Sequence, residues 1–243
     1  MEFAIILQAR LGSKRLPGKV LKKINGKTIL EYTIKRLKKT KLSKNIIVAT
    51  TKREEDQKII KVAKKTNCHT FRGSTNNVLN RYYEAALYYN VKNIVRICSD
   101  SPLIDPKIIN EIYFFYLKNN YDYVSNKIFP TYPAGMGVEI LNFQSLKKAN
   151  KLTKNSYEKE HVTAYIYKRP KKFKIKNVGL KKKLLNYRIV LDYTEDFKLI
   201  SNILKHFNKQ RKDFTLKDII KYIDRNPILK KINSRNLTKY GYL

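Results

Sequence analysis

The sequence predicts an α/β fold in which a mainly parallel β-sheet is covered by α-helices on both faces. Short apolar runs that suit single buried strands alternate with amphipathic helical patterns from residue 4 onwards. This β-α-β-α-β order is typical of parallel sheets, because a crossover is needed to bring each new strand parallel to the last. Ligands of such folds bind outside the carboxyl ends of the strands, so site residues are expected in the loops found there.

The apolar pattern places the individual elements. Predicted strands lie at residues 4–7, 45–50, 68–71, 94–98, 121–125 and 189–191. Predicted helices lie at residues 27–39, 54–65, 106–119, 142–150, 156–168, 196–207 and 215–222. A further helix follows Asn76 or Asn77, either of which suits an N-cap, and Asp105 suits the N-cap before Pro106. Residues from 227 onwards are expected to be loosely held.

Length and composition are consistent with a single domain over residues 1–243. Within it, residues 130–170 interrupt the βα rhythm and residues 213–243 are expected to form a helical tail. No apolar run approaches 18 residues, so no membrane span is predicted, and no secretory signal is expected. Cys68 and Cys98 lie at or beside apolar runs, and we expect buried free thiols in a cytoplasmic protein.

The charge of the chain is unusual, because 53 Lys and Arg residues against 19 Asp and Glu residues give +34. One interpretation is a polyanion- or nucleic-acid-binding protein without catalysis. We favour compositional bias, because the lysines are scattered over nearly every segment. Residues 171–183 hold seven lysines, and for residues 171–176 an exposed edge strand protected by lysine fits as well as a nucleic-acid site, or better. Nonspecific polyanion binding is expected at low salt, without a specific nucleic-acid partner.

The loop after the first strand, residues 9–20, carries the features of an anion site. Gly12 and Gly18 allow backbone N–H groups to come close to a ligand. Four cations stand in the same loop: Arg10, Lys14, Arg15 and Lys19. Converging cations repel one another unless an anion lies between them, and a triphosphate suits that position. The loop differs from a P-loop because five residues separate its glycines and Val20 replaces the Ser or Thr. A βα loop with solvated charges is the alternative.

Two aspartates follow predicted strands and are expected at one edge of the sheet. Asp100 comes just after strand 94–98, and Asp192 comes just after strand 189–191. Carboxylates that meet there repel unless a cation lies between them, and Mg²⁺ prefers such oxygen ligands. Each aspartate could instead cap a helix, and Thr194 makes that plausible for Asp192. The sequence offers no Ser/His/Asp or Cys/His set, and three histidines give no zinc site.

Several stretches resemble one enzyme family. The run at residues 8–20 is Q-A-R-L-G-S-K-R-L-P-G-K-V, and it continues into L-K-K-I-N-G-K-T-I-L-E-Y-T-I. Later come G-S-T-N-N-V-L-N-R-Y-Y at 73–83, S-D-S-P-L-I-D-P at 99–106 and L-D-Y-T-E-D-F at 191–197. Together they resemble the signatures of nucleotide-sugar cytidylyltransferases, the CMP-Kdo and CMP-sialate (acylneuraminate) synthetases. The resemblance is strongest to the branch of the spore coat polysaccharide biosynthesis protein F, and it covers roughly residues 3–200.

The resemblance implies the nucleotide-diphospho-sugar transferase fold, a Rossmann-like three-layer α/β/α sandwich. It implies transfer of CMP from CTP to an acidic sugar or related acceptor, with release of pyrophosphate and with Mg²⁺ as cofactor. A nucleotidylyltransferase of the same fold that uses another NTP is the alternative. The implied nucleotide-binding residues are Ala9, Arg10, Gly12, Ser13, Lys14, Arg15, Lys19 and Arg81. Arg10, Lys19 and Asp100 are the implied catalytic residues, and Asp100 and Asp192 are the implied metal ligands.

The resemblance also implies an acceptor site and a homodimer. It places Glu139 and His161 at the border of the acceptor site. A strand residue that faces solvent and a packed helical histidine are the alternatives for these two positions. The aromatic-rich segment 132–170 is the implied dimer-forming part. The sequence leaves the acceptor open among sialic-type and Kdo-like acids, other sugars and phosphorylated polyols, and surface polysaccharide or glycan synthesis is the implied context.

Overall fold

The computed structural model of the protein describes residues 1–211 and 213–237. The strands are β1 (Phe3–Gln8), β2 (Lys23–Ile24), β3 (Lys27–Thr28), β4 (Ile46–Thr51), β5 (His69–Gly73), β6 (Asn93–Cys98), β7 (Tyr123–Ser125), β8 (Glu139–Asn142) and β9 (Ile175–Asn177). The helices are α1 (Ile29–Leu37), α2 (Gln57–Lys65), α3 (Val78–Tyr88), α4 (Pro106–Leu117), α5 (Phe143–Leu152), α6 (Ser156–Glu160), α7 (Ala164–Tyr167), α8 (Thr194–Lys209), α9 (Leu216–Asp224) and α10 (Pro227–Lys231). None of the described helices is long and apolar enough to cross a membrane.

Seven of the strands form one sheet in the order β5-β4-β1-β6-β8-β7-β9, and β2 and β3 form a separate small hairpin. Neighbouring strands are parallel except where β8 pairs with β6 and β7. The predicted mainly parallel sheet is therefore confirmed. β9 stands at the edge of the sheet and carries Lys176, which agrees in part with the edge-strand interpretation of residues 171–176, because residues 171–174 precede the strand.

The sheet separates two hydrophobic cores, as the alternation along β1 illustrates. Ile5 and Leu7 belong to the core that α1, α2, α4, α8 and α9 cover. Ala4 and Ile6 belong to the opposite core, which α3, α5 and α7 cover. Successive side chains of a strand point to opposite faces, so a strand that is apolar at every position must be covered on both sides. The three-layer α/β/α architecture is confirmed.

The predicted strand at residues 189–191 is wrong. This segment is extended, but its backbone bonds to two different loops: Ile189 donates to Ala134 O at 2.9 Å, and Leu191 donates to Asp100 O at 2.8 Å. Gly135 permits the approach, since its φ is +105° and a Cβ there would lie 2.6 Å from the carbonyl oxygen of Ile189. Apolar sequence alone cannot distinguish such a segment from a strand of the sheet.

The predicted helix at residues 156–168 is interrupted. α6 ends at Glu160 and α7 begins at Ala164, and between them Val162 has φ +52° and is fully buried. A β-branched residue with positive φ is strained, so tertiary contacts stabilise the break. One of these contacts joins the Thr163 hydroxyl to the Glu139 carboxylate.

Two further expectations are corrected. Cys68 and Cys98 are free thiols but are partly exposed, because one precedes β5 and the other ends β6 at a cleft. The chain after residue 227 is not loosely held within the described residues, since Leu229 and Asn233 are buried there. Residues 238–243, which complete the predicted tail, lie outside the described residues.

Candidate functional site

A cleft of about 890 Å³ opens at the carboxyl ends of β1, β4 and β6. All the site residues predicted from the sequence line it: Ala9, Arg10, Gly12, Ser13, Lys14, Arg15, Lys19, Arg81, Asp100, Glu139, His161 and Asp192. The parallel strands explain the convergence, because the loops that follow them begin at one edge of the sheet. The structure therefore brings together residues that are up to 183 positions apart in the sequence, from position 9 to position 192.

The loop of residues 9–20 is held by buried contacts. Leu11 N donates at 2.8 Å to Asp56 Oδ1, and Asp56, which is fully buried, also accepts from the Thr51 hydroxyl. Gly18 N donates to Leu11 O at 3.1 Å, and Gly18 has φ +64°, which glycine adopts without strain. Asp56 was not singled out from the sequence, where it looks like one acid among the charges that begin a helix.

Three of the four loop cations pair with carboxylates across the cleft. Lys19 Nζ lies 3.0 Å from Asp100 Oδ2 and 2.8 Å from Asp192 Oδ1. Arg15 Nη2 lies 2.8 Å from the same Asp192 oxygen. Arg10 Nη2 lies 2.8 Å from Glu160 Oε1. Protein carboxylates thus balance charge that the sequence analysis assigned to a bound anion.

Lys19 keeps its positive charge despite burial. Burial by itself lowers the pKa of an ammonium group, but the neighbouring carboxylates of Asp100 and Asp192 outweigh it and raise the pKa of Lys19 above its ordinary value. A third contact, to Leu191 O at 2.8 Å, occupies another donor of the same ammonium group. One cation therefore joins the two aspartates.

Asp192 does not cap the helix that follows it. The N-cap of α8 is Tyr193, and Asp196 accepts the backbone N–H of both Asp192 and Tyr193, at 2.9 and 3.0 Å. Asp192 is instead buried, with its carboxylate between Lys19 and Arg188. Asp192 and Asp100 lie on either side of the Lys19 ammonium group, as expected, although the segment before Asp192 is not the predicted strand.

The Asp100 and Asp192 pair fits a magnesium ion. A single ammonium group lies within 3.0 Å of both carboxylates, so the two face one shared cation position. No group of three or more His, Cys, Asp or Glu side chains suited to a metal occurs among the described residues. Two carboxylates suit Mg²⁺, which keeps water and substrate phosphate oxygens as its other ligands.

Arg81 lines the cleft as a buried guanidinium with spare donors. Arg81 is 1% exposed, and its Nε and Nη1 atoms have no hydrogen-bond partner among the described residues. Burial lowers the pKa of Arg81. α3 carries Arg81, and the predicted cap of that helix is Asn77, which accepts from Asn80 N at 2.9 Å.

Glu139 does not face solvent, contrary to the alternative considered from the sequence. It is buried and pairs with Arg96, while the Tyr123 hydroxyl donates to it at 2.8 Å and Lys127 Nζ lies at 3.4 Å. Burial opposes ionisation, but Arg96 and Lys127 hold the pKa of Glu139 well below its usual range. Arg96 was missed, although a charge inside the apolar run N-I-V-R-I-C was a signal for it.

His161 is the C-cap of α6 and lies in the same cleft. Its ring lies 4.3 Å from the Tyr157 ring, measured between centroids. Burial and the positive charge of Arg96 lower the pKa of His161, so the imidazole is neutral near pH 7. A neutral ring can accept or donate one hydrogen bond to a ligand in the cleft.

A sequence model of the cytidylyltransferase family matches residues 4–225 of the chain. The chain belongs to the cytidylyltransferase family. It is 41% identical over 244 residues to an uncharacterized protein of Methanocaldococcus jannaschii. That alignment covers 100% of this chain and 98% of the relative. It is 27% identical over 236 residues to the spore coat polysaccharide biosynthesis protein SpsF of Bacillus subtilis, with coverage of 93% and 95%.

The fold comparison agrees with the family assignment. A solved cytidylyltransferase structure from Leptospira borgpetersenii superimposes with a TM-score of 0.90 at 34% identity, and the match covers 95% of this chain and 97% of that chain. The resemblance to nucleotide-sugar cytidylyltransferases and to the SpsF branch, which the loop and strand-end motifs indicated, is confirmed.

Proposed function

We propose that this cytidylyltransferase-family protein transfers CMP from CTP to an acidic sugar or related acceptor and releases pyrophosphate. The observation that carries the proposal is the pair of Asp100 and Asp192 in one cleft. Lys19, which belongs to the glycine-containing basic loop, joins the two carboxylates. Phosphoryl-group chemistry of this kind needs positioning and charge neutralisation rather than a protein nucleophile.

The nucleotide would lie along residues 9–19, with its triphosphate on the loop. Arg10, Lys14 and Arg15 would neutralise the β- and γ-phosphates, and the backbone N–H groups near Gly12 and Ser13 would donate to phosphate oxygens. An acceptor oxygen then attacks the α-phosphorus, the bond to the bridging oxygen breaks, and pyrophosphate leaves with the electron pair. An acceptor hydroxyl gives up its proton to water in this step. Negative charge on the departing phosphates is what Arg10 and Lys19 would stabilise.

Asp100 and Asp192 would hold Mg²⁺, which would supply charge neutralisation and orientation for the phosphate groups. For this to happen, Lys19 must turn from the carboxylates towards a phosphate oxygen. Arg81, which also lines the cleft, would help to fix the nucleotide.

The acceptor would bind on the side of the cleft formed by β8 and α6. We assign Glu139 the role of holding Arg96 and Lys127 in place, because its carboxylate is occupied by these cations and by two hydroxyl groups. His161 and Lys127 line the cleft nearby and would contact the acceptor. Cations there suit an acidic acceptor, as in the synthesis of surface polysaccharide or glycan.

A homodimer through residues 132–170 is part of the proposal. Tyr132 and Tyr165 pack inside the chain, whereas Tyr157 is 47% exposed and offers apolar area to a partner. At +34 per chain, two subunits repel one another unless an apolar interface outweighs the charge. Light scattering at physiological salt should give twice the monomer mass, and a single monomer mass at micromolar concentration would contradict a stable dimer.

A pyrophosphate-release screen tests the proposed reaction. The four NTPs are offered with Mg²⁺ against sialic-type acids, Kdo-like acids, neutral sugars and polyol phosphates. We expect release with CTP and one acceptor class, and release slower by about 100-fold or more from the Asp192→Asn variant measured in parallel. Release with another NTP would mean that the enzyme uses that nucleotide instead of CTP. No release with any combination of NTP and acceptor would contradict the proposal.

A further inference from the structure

The C-terminal segment reaches the buried charges behind Asp192. Asn233 lies between α10 and the 3-10 turn at Ser234–Asn236, and it is 4% exposed. Its Nδ2 atom donates to Arg188 O at 3.0 Å and to Asp196 Oδ1 at 2.8 Å. One amide group therefore joins two residues that flank Asp192, each of them four positions away from it.

Arg188 and Asp196 in turn hold Asp192. Arg188 Nε and Nη2 each lie 2.9 Å from an oxygen of Asp196, and Nη2 lies 3.4 Å from Asp192 Oδ2. Asp196 Oδ2 also accepts the backbone N–H of Asp192 at 2.9 Å. The three charged side chains are at most 1% exposed, so water cannot replace a contact that is lost.

The two oxygens of the Asp192 carboxylate have different surroundings. Oδ2 faces the buried Arg188, whereas Oδ1 accepts from Lys19 and Arg15 at 2.8 Å in the cleft. A displacement of Arg188 would rotate the carboxylate, and Oδ1 would leave the position where it meets the cleft cations. The orientation of the cleft oxygen is thus set from inside the protein.

We propose that Asn233 is a positioning residue for Asp192, so that the C-terminal segment completes the candidate site. Asn233 fixes Arg188 at two points, directly at its backbone oxygen and through Asp196 at its guanidinium. The amide supplies two N–H donors to two oxygens, a task that neither an alanine nor a carboxylate can perform. The inference rests on the proposed function only for the identity of the ligand of Asp192. The way in which Asp192 is held follows from the hydrogen bonds of Arg188 and Asp196.

The experiment compares Asn233→Ala with Asn236→Ala in the full chain. Asn236 is equally buried in the same segment, but its Nδ2 has no hydrogen-bond partner among the described residues. The Asn236 variant therefore reports general damage to the segment. Asn233→Asp, which keeps the shape and replaces the donor with an acceptor, is the second test variant. Thermal unfolding verifies that each variant is folded.

Two measurements separate positioning from stability. Hydrogen exchange at the backbone amides of Asp192 and Tyr193 is read without any substrate. Steady-state pyrophosphate release then gives the half-saturating Mg²⁺ concentration, and it gives KM for CTP at saturating Mg²⁺.

We expect Asn233→Ala to speed amide exchange at Asp192 and Tyr193 by about tenfold relative to Asn236→Ala. The half-saturating Mg²⁺ should rise about tenfold, as for other residues that orient a metal ligand, with KM for CTP nearly unchanged. Equal exchange in the two variants would overturn the proposal, and so would faster exchange with an unchanged Mg²⁺ requirement. If the wild type releases no pyrophosphate, the proposed function fails, while the exchange comparison still decides whether Asn233 positions Asp192.

Discussion

Replacing Lys19 with Met removes the ammonium group that joins the two aspartates of the cleft. Its Nζ lies 3.0 Å from Asp100 and 2.8 Å from Asp192, and the Lys19 side chain is 12% exposed. Met keeps most of the aliphatic stem, so the change is mainly electrostatic. Removing one partner of a buried ion pair costs about 3–5 kcal/mol, and we expect about 3 kcal/mol here. The lower figure applies because Asp192 keeps Arg15 and Arg188, and the Asp100 side chain is 23% exposed.

The loss should appear as a lower thermal midpoint, and Mg²⁺ should partly reverse it. For a chain of this length, about 3 kcal/mol lowers Tm by about 6–12 °C. In the variant, no ammonium group competes for the position between the two aspartates, so a divalent ion can bind there. With a Kd of about 1 mM, about 10 mM Mg²⁺ adds about 1.4 kcal/mol of stability, which raises Tm by about 3–6 °C.

The assay is thermal unfolding with and without Mg²⁺ in the absence of nucleotide. Lys14→Met is the matched control, since Lys14 is an exposed loop lysine for which no ion pair occurs within the described ranges. It should keep the wild-type Tm and show no added response to Mg²⁺. The reasoning fails if Lys19→Met is as stable as the wild type, or if Mg²⁺ stabilises both proteins equally.

Four other expectations can be measured on the same protein. Asp100→Asn and Asp192→Asn should each lower turnover by about 100-fold or more, with the double variant little worse, because the two act on one site. Arg81→Lys keeps the charge but loses the planar fork, and should weaken CTP binding, read from KM, by about 1.5–3 kcal/mol. Glu139→Gln should cost about 3–5 kcal/mol at pH 7 in urea unfolding. Because the folded-state pKa of Glu139 is depressed, the wild-type advantage is complete above the unfolded pKa of about 4.3 and shrinks as pH falls below it, so the two stabilities should converge in acid. Nucleic-acid binding, followed by fluorescence anisotropy, should weaken by about 10³-fold or more between about 50 and 200 mM salt without sequence preference; binding that survives would favour a polyanion-binding role.

The parts of the site that the sequence predicted are those governed by local chemistry. The apolar run of β1, the glycines and cations of residues 9–20 and the aspartate after β6 lie close together in the chain. Their placement needs only the rule that parallel strands end at one edge. Asp105 is a similar case, because its capping of α4 depends on neighbours within two residues: it accepts from Lys107 N at 2.9 Å.

The errors occur where backbone or side-chain partners come from distant segments. Residues 189–191 have the composition of a strand, but their hydrogen bonds go to the loops at Ala134 and Asp100. The alternative for Glu139, a strand residue that faces solvent, is wrong because Arg96 on the neighbouring strand keeps Glu139 buried and charged. Neither pairing has a signature within a window of a few residues.

By itself, the sequence determined the α/β class, the family resemblance and the residue types of the cleft, because apolar periodicity, glycine and charge are properties of short stretches. The tertiary structure alone decided that Lys19 joins Asp100 to Asp192, that α6 and α7 separate at Val162, and that Asn233 of the C-terminal segment donates to Arg188 O and Asp196 Oδ1. These are contacts between charges and buried amides brought together by folding, and their free energy depends on distance and burial rather than on sequence separation.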